Sequence, residues 1–222
     1  MHVCFINGSP KTGESTSHYF IESIQKMLAD MPCVEIKAID HLQNPNTQEA
    51  FSAIVKADVV VFVFPLYIDS IPSSLLEFLY VLESYINSSD LLNIKMPRCY
   101  AVVNEGFYGG TQNINALNNI QYFCRSVGFH WRFGVGIGAG EYLRSTKDIP
   151  LNHKSKIKVY DQFKKIADDI LIPSVSIQTD NFADPQMTKR FFMLMGAISW
   201  QLKAKKNGLR LSQLEAKPFI DN

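Results

Sequence analysis

The chain has 222 residues, with 22 lysines and arginines against 21 aspartates and glutamates, and its net charge is +1. This length supports one sizeable core with an extension, and the interspersed charges exclude the basic footprint of a nucleic-acid-binding protein. None of the four cysteines forms a CxxC pair, so free buried thiols are expected and a zinc or iron–sulfur centre is not.

The start of the chain predicts a buried strand that leads into an anion-binding turn. An apolar run over residues 2–7 precedes a loop of glycines and hydroxyl side chains, and a helical pattern follows that loop. The backbone N–H groups of such a loop and of the first helical turn converge where the helix dipole favours an anion. The candidate phosphate ligands are the hydroxyls of Ser9, Thr12, Ser15, Thr16 and Ser17 and the backbone near Gly8 and Gly13.

The same loop restricts the kind of phosphate that it suits. Gly8 and Gly13 have the spacing of a nucleotide-triphosphate loop, but Glu14 stands where the nucleotide-binding lysine belongs. The dinucleotide pattern Gly-x-Gly-x-x-Gly is also missing. The loop therefore favours a single terminal phosphate held by neutral hydrogen bonds, and Glu14 is expected to weaken that binding unless it points outward. An ordinary strand–helix turn rich in small residues is the alternative interpretation.

Strand and helix patterns alternate along the next 150 or so residues. Five β-α units of this kind predict a doubly wound α/β domain with helices on both faces of a parallel sheet, and ligands then bind at the carboxyl ends of the strands. The further predicted strands lie near residues 34–39, 58–64, 98–104 and 131–137, and the further helices near 47–56, from 72, 111–127 and 154–172.

The pattern changes after residue 172, which divides the chain into a predicted domain (1–172) and a helical extension (173–222). Residues 174–184 look like a connection, and an apolar helix is expected to start near Pro185 and to end in a basic run before Gly208. This helix either packs on its own domain or forms a homodimer contact. With a strand at the start and no apolar stretch long enough to span a bilayer, a cytoplasmic protein is expected.

Three loops meet at the carboxyl edge of the predicted sheet: residues 8–17, 65–71 and 104–110. Tyr67 offers an aromatic platform between two prolines, and Phe107 and Tyr108 add aromatic surface to a loop with three glycines. A phosphate-binding loop flanked by aromatic and glycine-rich loops suits a mononucleotide with a large planar ring. The alternative is that these aromatic residues only cover the core.

Four segments of the sequence resemble one family, the flavodoxin-like NAD(P)H-dependent FMN reductases and NAD(P)H dehydrogenases (quinone). These are Asn7-Gly-Ser-Pro-Lys, Ser15-Thr-Ser, the loop from Pro65 to Pro72, and Asn104-Glu-Gly, and the resemblance covers roughly residues 2–170. It implies a five-stranded parallel sheet in the order 2-1-3-4-5 and bound FMN. The residues implied to hold the phosphate are Ser9, Lys11, Ser15, Thr16 and Ser17; those implied to lie along the isoalloxazine are Pro65, Leu66, Tyr67 and Ile68, with Asn104, Glu105 and Gly106 near its edge.

The resemblance implies an FMN-dependent oxidoreductase that passes a hydride from NADH or NADPH to a small acceptor such as a quinone, flavin, azo or nitro compound. The flavin carries that chemistry, so no protein nucleophile and no metal are required, and no Ser/His/Asp or Cys/His set is recognisable. Two alternatives remain: a flavodoxin-type electron carrier, which neutral charge and the extra helix count against, and a non-catalytic interaction module.

Overall fold

The computed structural model describes residues 1–29, 31–42, 47–88, 95–175 and 179–216. Its centre is a six-stranded sheet in the order β2-β1-β3-β4-β5-β6, and every neighbouring pair of strands is parallel. The strands are β1 (Val3–Asn7), β2 (Cys33–Lys37), β3 (Val59–Pro65), β4 (Arg98–Asn104), β5 (His130–Ile137) and β6 (Asn181–Ala183).

Helices connect the strands and cover both faces of the sheet, as the alternating pattern predicted. Two short 3-10 helices, Gly110–Asn113 and Leu211–Glu215, accompany them. The α-helices are α1 (Thr16–Gln25), α2 (Ala38–His41), α3 (Thr47–Lys56), α4 (Ser73–Ser88), α5 (Ile114–Ser126), α6 (Gly140–Ser145), α7 (Ile157–Leu171) and α8 (Lys189–Lys206).

The sheet separates two apolar layers, because successive side chains of a strand point to opposite faces. Phe62 of β3 belongs to the layer that also contains Leu117 of α5. Its neighbour Val61 belongs to the opposite layer, with Phe163 of α7. Each such buried side chain stabilises the fold by roughly 1.5–3 kcal/mol. The continuous apolar run of β3 thus fixes a central strand that is buried on both sides.

The predicted order 2-1-3-4-5 is confirmed, but the prediction of only five strands is wrong. A sixth strand lies in the segment that the sequence suggested was a connection, and Gly136 and Ile137 of β5 pair with Phe182 and Ala183. Three residues flanked by polar neighbours are too few to show strand periodicity. The strand therefore depends on the open edge of β5 rather than on its own pattern.

The chain forms two compact units, the first of which ends at Gln186 and includes the whole sheet. The second contains α8, where the side chain of Thr188 accepts a hydrogen bond from the N–H of Phe191 and so caps the helix. The predicted helix is confirmed, although it starts at Lys189 rather than near Pro185. Its apolar side chains are largely exposed, Trp200 by 67%. None of the helices in the described part of the chain is long and apolar enough to cross a membrane.

An ion pair between buried Asp169 and half-buried Arg132 joins α7 to the sheet near the amino ends of β4 and β5. Asp169 accepts hydrogen bonds from Nε and one terminal nitrogen of Arg132, each at 2.9 Å, from the hydroxyl of Tyr100 at 2.7 Å and from the N–H of Ser174 at 2.8 Å. Burial by itself would raise the pKa of Asp169, but these donors outweigh it and hold the pKa below its usual range. The network lies at the end of the sheet opposite the carboxyl ends of the strands.

Candidate functional site

A cavity of about 140 Å³ opens at the carboxyl ends of β1, β3 and β4. This is the edge where strand order reverses, because β2 lies on one side of β1 and β3 on the other. Eleven of the predicted site residues line it, together with Glu141, which was not predicted. The predicted residues that are not among its lining residues are Gly8, Thr12, Gly13, Ile68, Phe107 and Tyr108. The lining residues are Ser9, Lys11, Ser15, Thr16, Ser17, Pro65, Leu66, Tyr67, Asn104, Glu105, Gly106 and Glu141.

Local hydrogen bonds give the loop after β1 its shape. The N–H of Ser9 donates to Oδ1 of Asn7 at 3.0 Å, and the N–H of Lys11 donates to Oγ of Ser9 at 3.3 Å. Ser15 caps α1, since its Oγ accepts from the N–H of His18 at 3.1 Å. The loop is therefore held in place by its own side chains, and the amino end of α1 faces the cavity wall.

Ser17 carries a buried hydroxyl that finds no hydrogen-bond partner among the described residues. A polar atom left unpaired inside a protein is unfavourable by about 1–3 kcal/mol. Its position in the first turn of α1, beside Ser15 and Thr16, is one where an anion would accept its hydrogen bond. The residues present thus fit a bound phosphate.

Glu14 points away from this cavity. Its carboxylate is 71% exposed and lies 3.3 Å from Nζ of Lys147 and 3.8 Å from Arg144. Arg144 also holds Glu141, the carboxylate that does line the cavity, at 2.6 Å. Because both acidic side chains are paired with cations of α6 and the segment after it, neither presents an uncompensated charge to an anion.

The loop after β3 forms a tight two-residue turn. The backbone groups of Tyr67 and Ser70 exchange hydrogen bonds of 3.0 and 3.1 Å, while Ile68 and Asp69 between them have φ of +49° and +57°. These angles define the turn that usually contains Asn-Gly, so a β-branched isoleucine here is strained. Ile68 is also fully exposed, and with Tyr67 and Phe107 it forms an apolar rim beside the cavity.

The loops after β3 and β4 are joined directly. The N–H of Leu66 donates to the carbonyl of Asn104 at 2.7 Å, and Nδ2 of Asn104 donates to the carbonyl of Phe64 at 3.0 Å. Asn104 also lies so close to Gly140 that a Cβ on that glycine would come within 2.8 Å of its Oδ1. The start of α6 is therefore packed against the cavity wall.

Glu105 is a buried acid in this wall. Its side chain is 3% exposed, its Oε1 is 3.4 Å from Nδ2 of Asn113, and its Oε2 has no partner among the residues that the structure describes. Burial raises the pKa of Glu105 to about 7, and the carboxylates of Asp184 and Asp69 act in the same direction. The group is thus divided between its neutral and ionised forms near neutral pH.

Replacing this acid, Glu105→Gln, is expected to flatten the pH dependence of folding stability. Because the pKa is raised in the folded state, the neutral carboxyl's contribution is fully present below the unfolded pKa and is lost as the pH rises through 7. The fall in unfolding free energy between about pH 5 and 8 should shrink by about 2 kcal/mol. Urea unfolding of the wild-type protein and of Glu105→Gln at several pH values measures this fall. If the unfolding free energy had the same pH dependence in both proteins, the expectation would be contradicted.

Helix α6 is the part of the site that the sequence analysis missed. No helix was predicted between the strand near 131–137 and the helix near 154–172, but Gly138 fits against the carbonyl of Tyr108 and the N–H of Gly140 donates to the carbonyl of Glu105 at 2.7 Å. Ala139, the residue before the helix, has a φ of +53°. The glycines here permit close backbone approach rather than a turn, and a pattern of small residues directly after a strand was the available signal.

Comparisons with known proteins give no match among family models and none among curated proteins. Solved structures do match. An NADH:FMN oxidoreductase in its apo form has a TM-score of 0.56 and 17% identity over 79% of this chain and 91% of its own. An NADPH-quinone reductase from P. pentosaceus has a TM-score of 0.56 and 13% identity over 75% and 98%. An NAD(P)H:quinone oxidoreductase from Methanothermobacter marburgensis has a TM-score of 0.55 and 14% identity over 77% of this chain and 96% of its own.

At identities this low the similarity concerns the fold rather than the activity. The matches extend over nearly the full length of the three proteins and over about three quarters of this chain. Together with the strand order and the cavity at its reversal, they show that the chain has the flavodoxin-like fold.

Proposed function

We propose that the protein is an FMN-dependent oxidoreductase that uses NADH or NADPH to reduce a small acceptor such as a quinone, flavin, azo or nitro compound. The observation that carries the proposal is the unpaired Ser17 hydroxyl beside the capped end of α1, in a cavity at the strand-order reversal. The structural neighbours support the same class, since their names describe NAD(P)H-dependent flavin and quinone oxidoreductases.

The size of the cavity suits one end of the cofactor. Cavities that enclose a whole ligand of this kind measure roughly 300–1,000 Å³, whereas this one measures about 140 Å³. The FMN phosphate would occupy it, held by Ser9, Ser15 and Ser17. The flavin ring would lie at its open side, on the exposed surface of Tyr67 and Phe107.

In such a complex FMN supplies the redox chemistry, and the protein supplies binding and orientation. The rigid turn at Tyr67 and the bond between Leu66 and Asn104 hold the two ring-facing loops at a fixed separation. The exposed rim leaves room for a nicotinamide and an acceptor to bind in turn. Assembly as a homodimer and a cytoplasmic location stay predictions.

Titration of the purified protein with FMN, followed by flavin fluorescence, tests the proposal directly. Saturable quenching is expected, and the bound flavin should lose its visible absorbance with NADH or NADPH and regain it with a quinone. Binding without reduction by either nucleotide would favour the electron carrier. No saturable binding would overturn the proposed function.

The substitution Ser17→Ala tests whether the Ser17 hydroxyl binds the FMN phosphate or instead stabilises the fold. Removing an unpaired buried hydroxyl should leave the unfolding free energy of the free protein unchanged or raise it by up to about 1 kcal/mol. Loss of a hydrogen bond to a charged group should weaken FMN binding about tenfold. Ser23→Ala is the control, because Ser23 lies on the same helix, does not line the cavity, and donates its hydroxyl to the carbonyl of Tyr19. Equal FMN affinities in the two variants would contradict the assignment.

A further inference from the structure

Glu105 is the one acidic side chain of the cavity wall for which no cation partner is found among the described residues. Glu141 is paired with Arg144, and Glu14 on the neighbouring loop with Lys147. By contrast, the partner of Glu105 is the amide of Asn113, and its second oxygen is shielded from solvent and unbonded. A carboxylate can only accept hydrogen bonds, so this environment satisfies the ionised form poorly and the neutral acid better.

The groups around Glu105 come from four parts of the fold. Asp69 lies in the turn after β3 and Asp184 directly after β6, and both add negative charge near it. Asn113, in the 3-10 helix before α5, has an Oδ1 without a partner in the described part of the chain, as well as the amide that contacts Glu105. Lys11, in the loop after β1, is the lysine that lines the same cavity. The charges of Asp69 and Asp184 therefore disfavour a further negative charge at Glu105.

Glu105 lines the cavity that an anion would enter. Ionised Glu105 would repel a bound phosphate or any other negative ligand, whereas the neutral acid would not. Linkage then requires that the ligand raise the proton affinity of Glu105 by the same factor by which the proton raises the affinity for the ligand. The two events are coupled if the anion binds close enough to Glu105 for the two charges to interact.

We propose that the cavity takes up an anionic ligand and a proton together, and that the carboxyl of Glu105 holds this proton. The inference rests on the proposed function in that FMN is the anion to be tested. It assigns to the chain a property that the flavin-binding proposal alone does not require: a cofactor affinity that falls as the pH rises above neutrality. Glu105 acts here as the proton-binding residue of the site.

The test follows FMN binding and proton uptake in the same samples. Between about pH 7 and 9 the phosphate of FMN is already a dianion, since its second pKa is about 6. Over that interval the affinity of the wild-type protein should fall at least tenfold. Mixing with FMN near pH 8 in weakly buffered solution should take up close to one proton per FMN bound, measured with a pH indicator.

Two variants locate the proton. Glu105→Gln should bind FMN equally well across the interval and take up no proton, so that it binds at least tenfold more tightly than wild type near pH 9. Glu77→Gln removes an exposed carboxylate from α4 and should retain the wild-type behaviour. The wild-type measurement needs no variant, so the proposal stays testable if a substitution impairs folding.

The outcomes separate this inference from the function on which it rests. Saturable FMN binding with a constant affinity and no proton uptake would overturn the inference and leave the proposed function standing. Proton uptake that persists in Glu105→Gln would place the proton on another group and overturn the assignment to Glu105. Failure to bind FMN at every pH would remove both proposals.

Discussion

The substitution Asp169→Asn is expected to lower the free energy of unfolding by about 3–5 kcal/mol, the largest effect on stability that we expect from a single side chain. The carboxylate is 6% exposed and accepts four hydrogen bonds, two from Arg132 and one each from Tyr100 and Ser174. The amide would leave the partly buried charge of Arg132 without its counterion and would place a donor against donors. Urea unfolding followed by circular dichroism measures the change.

The adjacent residue provides a matched control for this prediction. Asp168 lies on the same helix, is exposed, and pairs with Lys164 at 2.7 Å across one helical turn. Exposed pairs of this kind contribute about 0.3–0.5 kcal/mol, so Asp168→Asn should change stability little. Similar losses in both variants would show that the effect arises from the helix rather than from the buried ion pair.

The wild-type protein and the Asp169→Asn variant should also differ in how their stability changes at acidic pH. The pKa of Asp169 is lowered in the folded state, so its contribution is present above the unfolded value of about 3.9 and is lost as the pH falls through the folded value. The unfolding free energy of the wild-type protein should therefore decline below about pH 4. In Asp169→Asn that decline should be shallower, and an unchanged slope would contradict the role given to Asp169.

The parts of the fold that the sequence predicted are those with strong local patterns. β3 is a run of seven residues with no polar side chain, and α5 and α7 repeat apolar residues every three or four positions. Such patterns identify elements that are buried by many neighbours at once. The three loops of the cavity followed from topology, because the carboxyl ends of parallel strands share one edge.

What the sequence did not reveal depends on contacts made across the chain. β6 forms because β5 offers an unpaired edge, and α6 is placed by backbone contacts to Asn104 and Glu105. The buried Lys156 is another example: its Nζ donates to the carbonyls of Leu143, Thr146 and Ile149, so a residue type typical of surfaces holds the end of α6. Neither periodicity nor composition records such pairings.

The substitution Ser15→Asp is expected to weaken FMN binding by a hundredfold or more while leaving the fold intact. Aspartate caps helices as well as serine does, so the hydrogen bond from the N–H of His18 should be kept and α1 should begin at the same residue. The new carboxylate would nevertheless stand in the cavity wall. Two unit charges about 4 Å apart interact by roughly 4 kcal/mol near a protein surface.

The matched variant Ser15→Asn shows how much of the effect on FMN affinity comes from the larger side chain and how much from its negative charge. Asparagine has nearly the shape of aspartate and caps helices equally well, so its effect on FMN affinity should stay within about tenfold of wild type. Fluorescence titration of both variants, with unfolding curves to show that they are folded, decides the matter. If aspartate and asparagine weakened FMN equally, bulk rather than charge would be responsible, and the end of α1 would not be where the phosphate binds. If neither changed the affinity, the cofactor would lie elsewhere, and the cavity at the strand-order reversal would need another ligand.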